Sequence, residues 1–152
     1  MDVIVQDWQW WGKYGWNAMQ FDENKYPDPG KMVRELHNMN IHLMLSVWSK
    51  IDKQSALGKQ MESKGFYIPG TDWIDFFNPD AAAFYWHNFS SKLLKPYKID
   101  AWWQDATEPE NDDLLNRRIN NGETPGEFYR NVYPLFVNKT VYEGLRKDDP
   151  DR

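Results

Sequence analysis

Cysteine is absent from the sequence, which removes disulfides, thiolate metal sites and cysteine nucleophiles. Basic residues are in deficit: 18 Lys and Arg face 23 Asp and Glu, for a formal charge of −5. Nucleic-acid backbones are gripped by an excess of Lys and Arg, so they are not an expected partner. No apolar run nears the ~20 residues that a membrane-spanning helix requires, and no membrane partner is expected either. The opening MDVIVQDW has neither a basic segment nor a cleavage site; no signal peptide is expected, and the compartment stays open. Neither G-x-G-x-x-G nor G-x-x-x-x-G-K-[ST] occurs, which leaves a phosphate cradle unsupported, and there is no G-x-S-x-G elbow. His37, His42 and His87 are scattered without H-E-x-x-H spacing, so no metal and no cofactor is expected.

What remains in quantity is aromatic rings and carboxylates. Nine Trp, eight Tyr and eight Phe make up 16% of the 152 residues, many of them beside Asp, Asn or Gln. A core can be built from Phe and Leu. Trp beside polar groups suits a cleft that stacks a flat, partly apolar ligand and also hydrogen-bonds it, and sugar rings have that character. Length, with 41% hydrophobic and 27% charged residues, is that of one globular domain.

Residues 2–6, DVIVQ, are β-branched and end at Asp7, predicting a strand. After the loop WQWWGKYGWN, the stretch YPDPGKMVRELHNMN predicts a helix with Asp28 as N-cap and Pro29 in its first turn. Met32, Val33, Leu36 and Met39 share one face of it. IHLMLSVW at 41–48 is a near-continuous apolar run of strand length, expected where both faces are buried. A short helix near 54–63 and an aromatic loop follow, then a helix opened by Asn78-Pro79-Asp80 and stopping at Pro96. IDAWWQ at 99–104 makes a third strand, and a last helix reaches about Lys147 with a kink at Pro134. The order βαβαβα predicts an α/β fold with a parallel sheet. Asp7, Ser46–Trp48 and Asp105 then stand at C-terminal strand ends, the edge that carries active sites in parallel α/β proteins.

Within AWWQDATEPEND at 101–112, Asp105 meets the cleft where an aromatic strand ends. Glycoside hydrolysis needs one carboxylate as nucleophile or base and a second as acid. Asp105 is the candidate nucleophile, against the competing reading of a strand-end cap without chemistry. Glu108 stands only three residues on, and two members of one tight turn do not face each other across a sugar ring at the required separation of about 5–5.5 Å. Glu108 is read instead as orienting the loop or hydrogen-bonding near the nucleophile. Asp112 and Asp113 read as solvated charges at a helix start. The loop at 8–16 reads equally as rim packing and as a binding wall. A non-catalytic carbohydrate-binding module would also use the Trp cluster, but such modules are β-sandwiches and the Pro-opened helices oppose one.

The segments DVIVQDWQWWG, YPDPGKM, HLMLSVWSK and AWWQDATEPEND together resemble glycoside hydrolase family 31, the retaining α-glycosidases that include α-glucosidases and α-xylosidases. The family's Trp-x-Asp-x-x-Glu-Pro motif is matched by Trp103 to Pro109. The resemblance implies that Asp105 forms the glycosyl-enzyme ester and that Asp7 hydrogen-bonds hydroxyls of the sugar under attack. It also implies that Trp8, Trp48 and Met44, placed at the end of its strand, line that subsite, that Trp103 packs below the sugar, and that Glu108 contributes nearby. Position 46, often Asp or Trp in relatives, is Ser here. The substrate implied is an oligosaccharide or α-glycoside, with xylosides such as the α-xylosyl side chains of xyloglucan first and glucosides as the alternative. The family's catalytic domain is a (β/α)8 barrel of about 250 residues or more, so residues 1–152 are expected to be a partial barrel, its second to fourth β/α units. The acid/base Asp and the completing His and Arg are expected beyond Arg152, on the remainder of the barrel, leaving this piece inactive alone.

Overall fold

Val3–Gln6 (β1), His42–Trp48 (β2) and Ala101–Asp105 (β3) lie side by side in a parallel sheet of order β1-β2-β3. The computed structural model describes residues 2–111 and 113–151. Register aligns Val5 with Met44, Met44 with Ala101, Ser46 with Trp103 and Trp48 with Asp105. Because strand side chains alternate, Leu43, Leu45 and Val47 face the helices and are buried, whereas Val3 and Val5 on the other face stay 43% exposed and Trp103 45% exposed. One face of the sheet is packed and the other is open. The fold is α/β and partial: among the described residues the strands do not close into a barrel.

The helices start where their sequences say they should. Asp28 accepts the Lys31 amide at 2.8 Å and starts α1 (Pro29–Asn38). Ser55 accepts the Gly58 amide at 2.9 Å and starts α2 (Ala56–Ser63). Buried Asn78 accepts the amides of Asp80 and Ala81 at 3.0 and 3.4 Å and starts α3 (Pro79–Phe89). Each cap satisfies amides that the first helical turn leaves without partners.

Three expectations are corrected. The helix at 79 does not stop at Pro96; it passes through a π-helical turn, Ser90–Leu94, into α4 (Lys95–Tyr97) and ends at left-handed Lys98. Pro96 has no N–H to donate, and the widened turn just before it accommodates the missing bond. Pro134 makes no mid-helix kink: α5 runs from Tyr133 to Asp148 with the proline in its first turn, after a 3-10 segment Gly126–Val132. In that first turn an N–H has no partner to lose. Nor is β2 buried evenly on both faces, since His42 is exposed and Met44 and Trp48 only half-buried.

α5 seats against α3 through Gly144, where a Cβ would lie 2.1 Å from Trp86 Cδ2. The contact is locked by Asp148, whose Oδ2 accepts from Trp86 Nε1 at 3.1 Å and Ser90 Oγ at 2.6 Å. A short hairpin of two-residue strands, β4 (Arg118–Ile119) and β5 (Thr124–Pro125), turns through Asn120, Asn121 and Gly122, all at positive φ. At the opposite end of the sheet from the strand C-termini, Asp100 is bracketed by His37 Nε2 at 2.8 Å, His42 Nδ1 at 3.2 Å and the Leu43 amide at 2.8 Å.

Candidate active site

Asp105 is the last residue of β3, level with Trp48 at the end of β2. Asp7 stands one residue beyond the Gln6–Leu45 pair that ends β1. The same device holds both carboxylates. Asp105 Oδ1 accepts from the amide of Ala106 at 2.9 Å, and Asp7 Oδ1 accepts from the amide of Trp8 at 2.7 Å. Ala106 has φ +39° and Gln9, two residues after Asp7, has φ +63°. A non-glycine residue in that region costs of order 1–3 kcal/mol and persists only where the surroundings enforce it. The backbone therefore turns sharply one residue after Asp105 and two residues after Asp7, and each carboxylate takes the amide that follows it.

The end of β2 is clamped from behind. Buried Trp10 donates its indole N–H to the Ser46 carbonyl at 2.7 Å. The Trp48 carbonyl accepts from Asn17 Nδ2 at 2.5 Å and from the buried Tyr85 hydroxyl at 2.9 Å. These carbonyls lie where a strand ladder runs out of partners, and each buried oxygen left bare would cost about 1–3 kcal/mol. Trp10, Asn17 and Tyr85 are supports that the sequence reading missed. The one available signal was a lone amide, Asn17, inside an aromatic loop.

Rings continue outward from the clamp. Trp48 meets Trp16 edge-on with centroids 4.9 Å apart, and Trp16 contacts Trp8 at 5.3 Å and Trp11 at 5.4 Å. The loop at 8–16 divides its labour: Trp10 and Trp11 are buried packing, while Trp8 is 46% exposed beside Asp7. Trp102 and Trp103 divide likewise. Trp102 lies on Phe89, centroids 4.3 Å apart, on the helix side, and Trp103 stands on the open face with Asp105.

Not every expected residue falls at the rim. Met44 is third of seven residues in β2, opposite Val5 and Ala101, so it lies mid-strand and not at the strand end. It shares the face of Asp105 but sits four residues below Trp48. Glu108 is exposed and makes no hydrogen bond among the described residues. The loop is instead held at buried Pro109, whose carbonyl accepts from Arg130 at 3.2 Å. Asp113 is not a solvated helix-start charge; it is half-buried and accepts from Trp73 Nε1 at 2.6 Å, which satisfies an otherwise buried indole donor. Asp112 lies outside the described residues.

Among the described residues no group of three His, Asp or Glu is placed to hold a metal ion. The arrangement is that of a (β/α) barrel segment: carboxylates at the C-terminal ends of the two outer strands of a parallel sheet, with indoles around them. Residues 1–152 match the glycosyl hydrolases family 31 TIM-barrel domain, and the chain belongs to that family. It is 40% identical to an α-xylosidase of Saccharolobus solfataricus over 97% of this chain and 20% of that protein. An uncharacterized family 31 glucosidase of Pseudescherichia vulneris is 32% identical over 97% of this chain and 30% of that protein. Among solved structures, a GH31 α-xylosidase from Xanthomonas citri superposes with TM-score 0.84 at 31% identity, over 97% of this chain and 18% of that one. A soil-metagenome GH31 α-xylosidase complexed with xylose also gives 0.84, at 28% identity, over 98% of this chain and 24% of that one. The chain thus spans less than a third of the length of these relatives.

Proposed function

We propose that residues 1–152 form the second to fourth β/α units of a retaining α-glycosidase, an α-xylosidase in preference to an α-glucosidase. One observation carries the reading: Asp105 ends β3 inside the Trp103–Pro109 motif, abreast of Trp48 and one strand beyond it from Asp7. In this mechanism Asp105 attacks the anomeric carbon and forms a glycosyl ester. A protonated carboxylic acid outside these residues gives its proton to the leaving oxygen, then activates the water that cleaves the ester. Asp7 binds sugar hydroxyls, Trp8 and Trp48 line the sugar's pocket, and Trp103 lies beneath it. Glu108, solvated and three residues along the same turn, is at most a peripheral contact. Without the acid, residues 1–152 alone are inactive.

The preference for xylosides is supported by the α-xylosidases among the relatives, at 40% identity in one case. The family 31 glucosidase relative keeps glucosides as the second reading, and the p-nitrophenyl α-xyloside and α-glucoside assayed on the full-length enzyme separate the two. A fluorinated glycosyl trap followed by peptide mass spectrometry is expected to label Asp105. Asp105→Ala is expected to abolish turnover while leaving the thermal melt in place. A label on any other carboxylate overturns the assignment.

A further inference from the structure

Ala106, whose amide grips the Asp105 carboxylate, is a non-glycine residue at φ +39°. Such a conformation lasts only where the chain on both sides of it is fixed. Upstream, β3 is fixed by its ladder with β2, up to the Trp48–Asp105 pair. Downstream, the loop is pinned at three points. The Pro109 carbonyl accepts from Arg130 at 3.2 Å, the Glu110 carboxylate lies 4.0 Å from Lys50 Nζ, and Asp113 Oδ2 accepts from Trp73 Nε1 at 2.6 Å. The Asp113 amide donates to the Glu110 carbonyl at 2.9 Å, which closes the turn between the last two pins.

The pins differ in stiffness. Arg130 reaches Pro109 on a long, flexible stem from the 3-10 segment, and the Lys50–Glu110 pair is partly solvated, which weakens it. Trp73 is fully buried, its ring edge-on to buried Tyr133 with centroids 6.3 Å apart. Its backbone bridges to Lys50, two residues beyond Trp48. Its carbonyl accepts from the Ile68 amide at 2.9 Å, and its own amide donates to Thr71 Oγ1 at 3.1 Å. Trp73 thus belongs to the scaffold that continues β2, and its indole N–H crosses to the loop that continues β3. A buried donor on a carboxylate is a charge-assisted bond, stronger than a neutral one.

We propose that Trp73 is a positioning residue for the reaction. Through Asp113 it holds the loop that keeps Ala106 in its strained turn, and so aims the Asp105 carboxylate. The inference rests on the glycosidase reading and deepens it, and it gives Trp73 no contact with the sugar.

The test uses the full-length enzyme and whichever of p-nitrophenyl α-xyloside and α-glucoside the wild type cleaves. Trp73→Phe keeps the ring and removes the N–H. Its kcat is expected to fall about 10-fold with KM within about 2-fold of wild type, because the aim of the nucleophile changes and the contacts of the sugar do not. Asp113→Leu removes the other partner of the same bond, so it should give the same loss, and the double variant no more than either. The decisive comparison repeats both substitutions in an Ala106→Gly background. Glycine takes positive φ without enforcement, so there each should cost less than about 2-fold. Loss of packing alone lowers activity equally in both backgrounds. An equal loss in both, or no loss in either single variant, overturns the positioning role while leaving the glycosidase reading intact. Should Trp73→Phe fail to fold, Asp113→Leu, at a half-buried site, carries the same comparison. A wild-type enzyme that cleaves no α-glycoside overturns both readings.

Discussion

Asp100 shows how much a single side chain organises here. Burial pushes its carboxyl pKa up, but the Leu43 amide and the two histidines His37 and His42 outweigh burial and hold it below the ordinary value. A lowered folded-state pKa means that the carboxylate's stabilisation is fully present above the unfolded value of about 4 and is lost as pH falls through the folded value. Asp100→Asn should therefore lower the melting temperature of the full-length enzyme near neutral pH, with the deficit shrinking in acid. A deficit that stays constant down to about pH 3 would show that packing, not charge, matters at this position. Asp105 and Asp7 obey a different logic. Each is gripped by the amide of its own successor, so their orientation is built into the backbone turn that follows each strand.

Among the elements, the pairing of α3 with α5 is the most exacting. In an open helix, Gly→Ala would gain about 1 kcal/mol from helix propensity. At Gly144 the added methyl would meet Trp86 at 2.1 Å, and overpacking costs about 1–3 kcal/mol. The second effect wins, so Gly144→Ala should lower the melting temperature of the full-length enzyme; an increase would mean that the helices separate at no cost. The caps Asp28, Ser55 and Asn78 are of another kind, since each acts within its own turn. Asp28 and Asn78, each followed by proline, were legible in the sequence for that reason, because N-cap chemistry is local. The passage of the third helix through Pro96 was not, since it depends on a π-helical turn that no propensity announces.

At the scale of the whole molecule, the sheet has one finished face and one open one. Val3, Val5, Trp8 and Trp103 are each more than 40% exposed along the open side, and β1 and β3 each lack a neighbour on their outer edge among the described residues. Exposed parallel edges and apolar faces recruit other chains. Residues 1–152 made alone should bind a hydrophobic dye such as ANS and elute larger than a monomer. A dye-free monomer with a cooperative melt would show that the open face is stable in water.

The sequence by itself determined the three parallel strands, the helix starts at Asp28 and Asn78 and the placing of Asp7, Trp48 and Asp105 at strand ends. Each of these follows from periodicity, capping or a contiguous motif, all confined to a few neighbouring residues. Only the tertiary structure decided which tryptophans are packing and which are surface, that Met44 lies mid-strand, that Pro109 and not Glu108 anchors the loop, and that Trp10, Asn17 and Tyr85 clamp the end of β2. Trp102 and Trp103 are the same residue type in adjacent positions. What separates them is the direction in which alternate side chains leave a strand and what the rest of the chain has packed there.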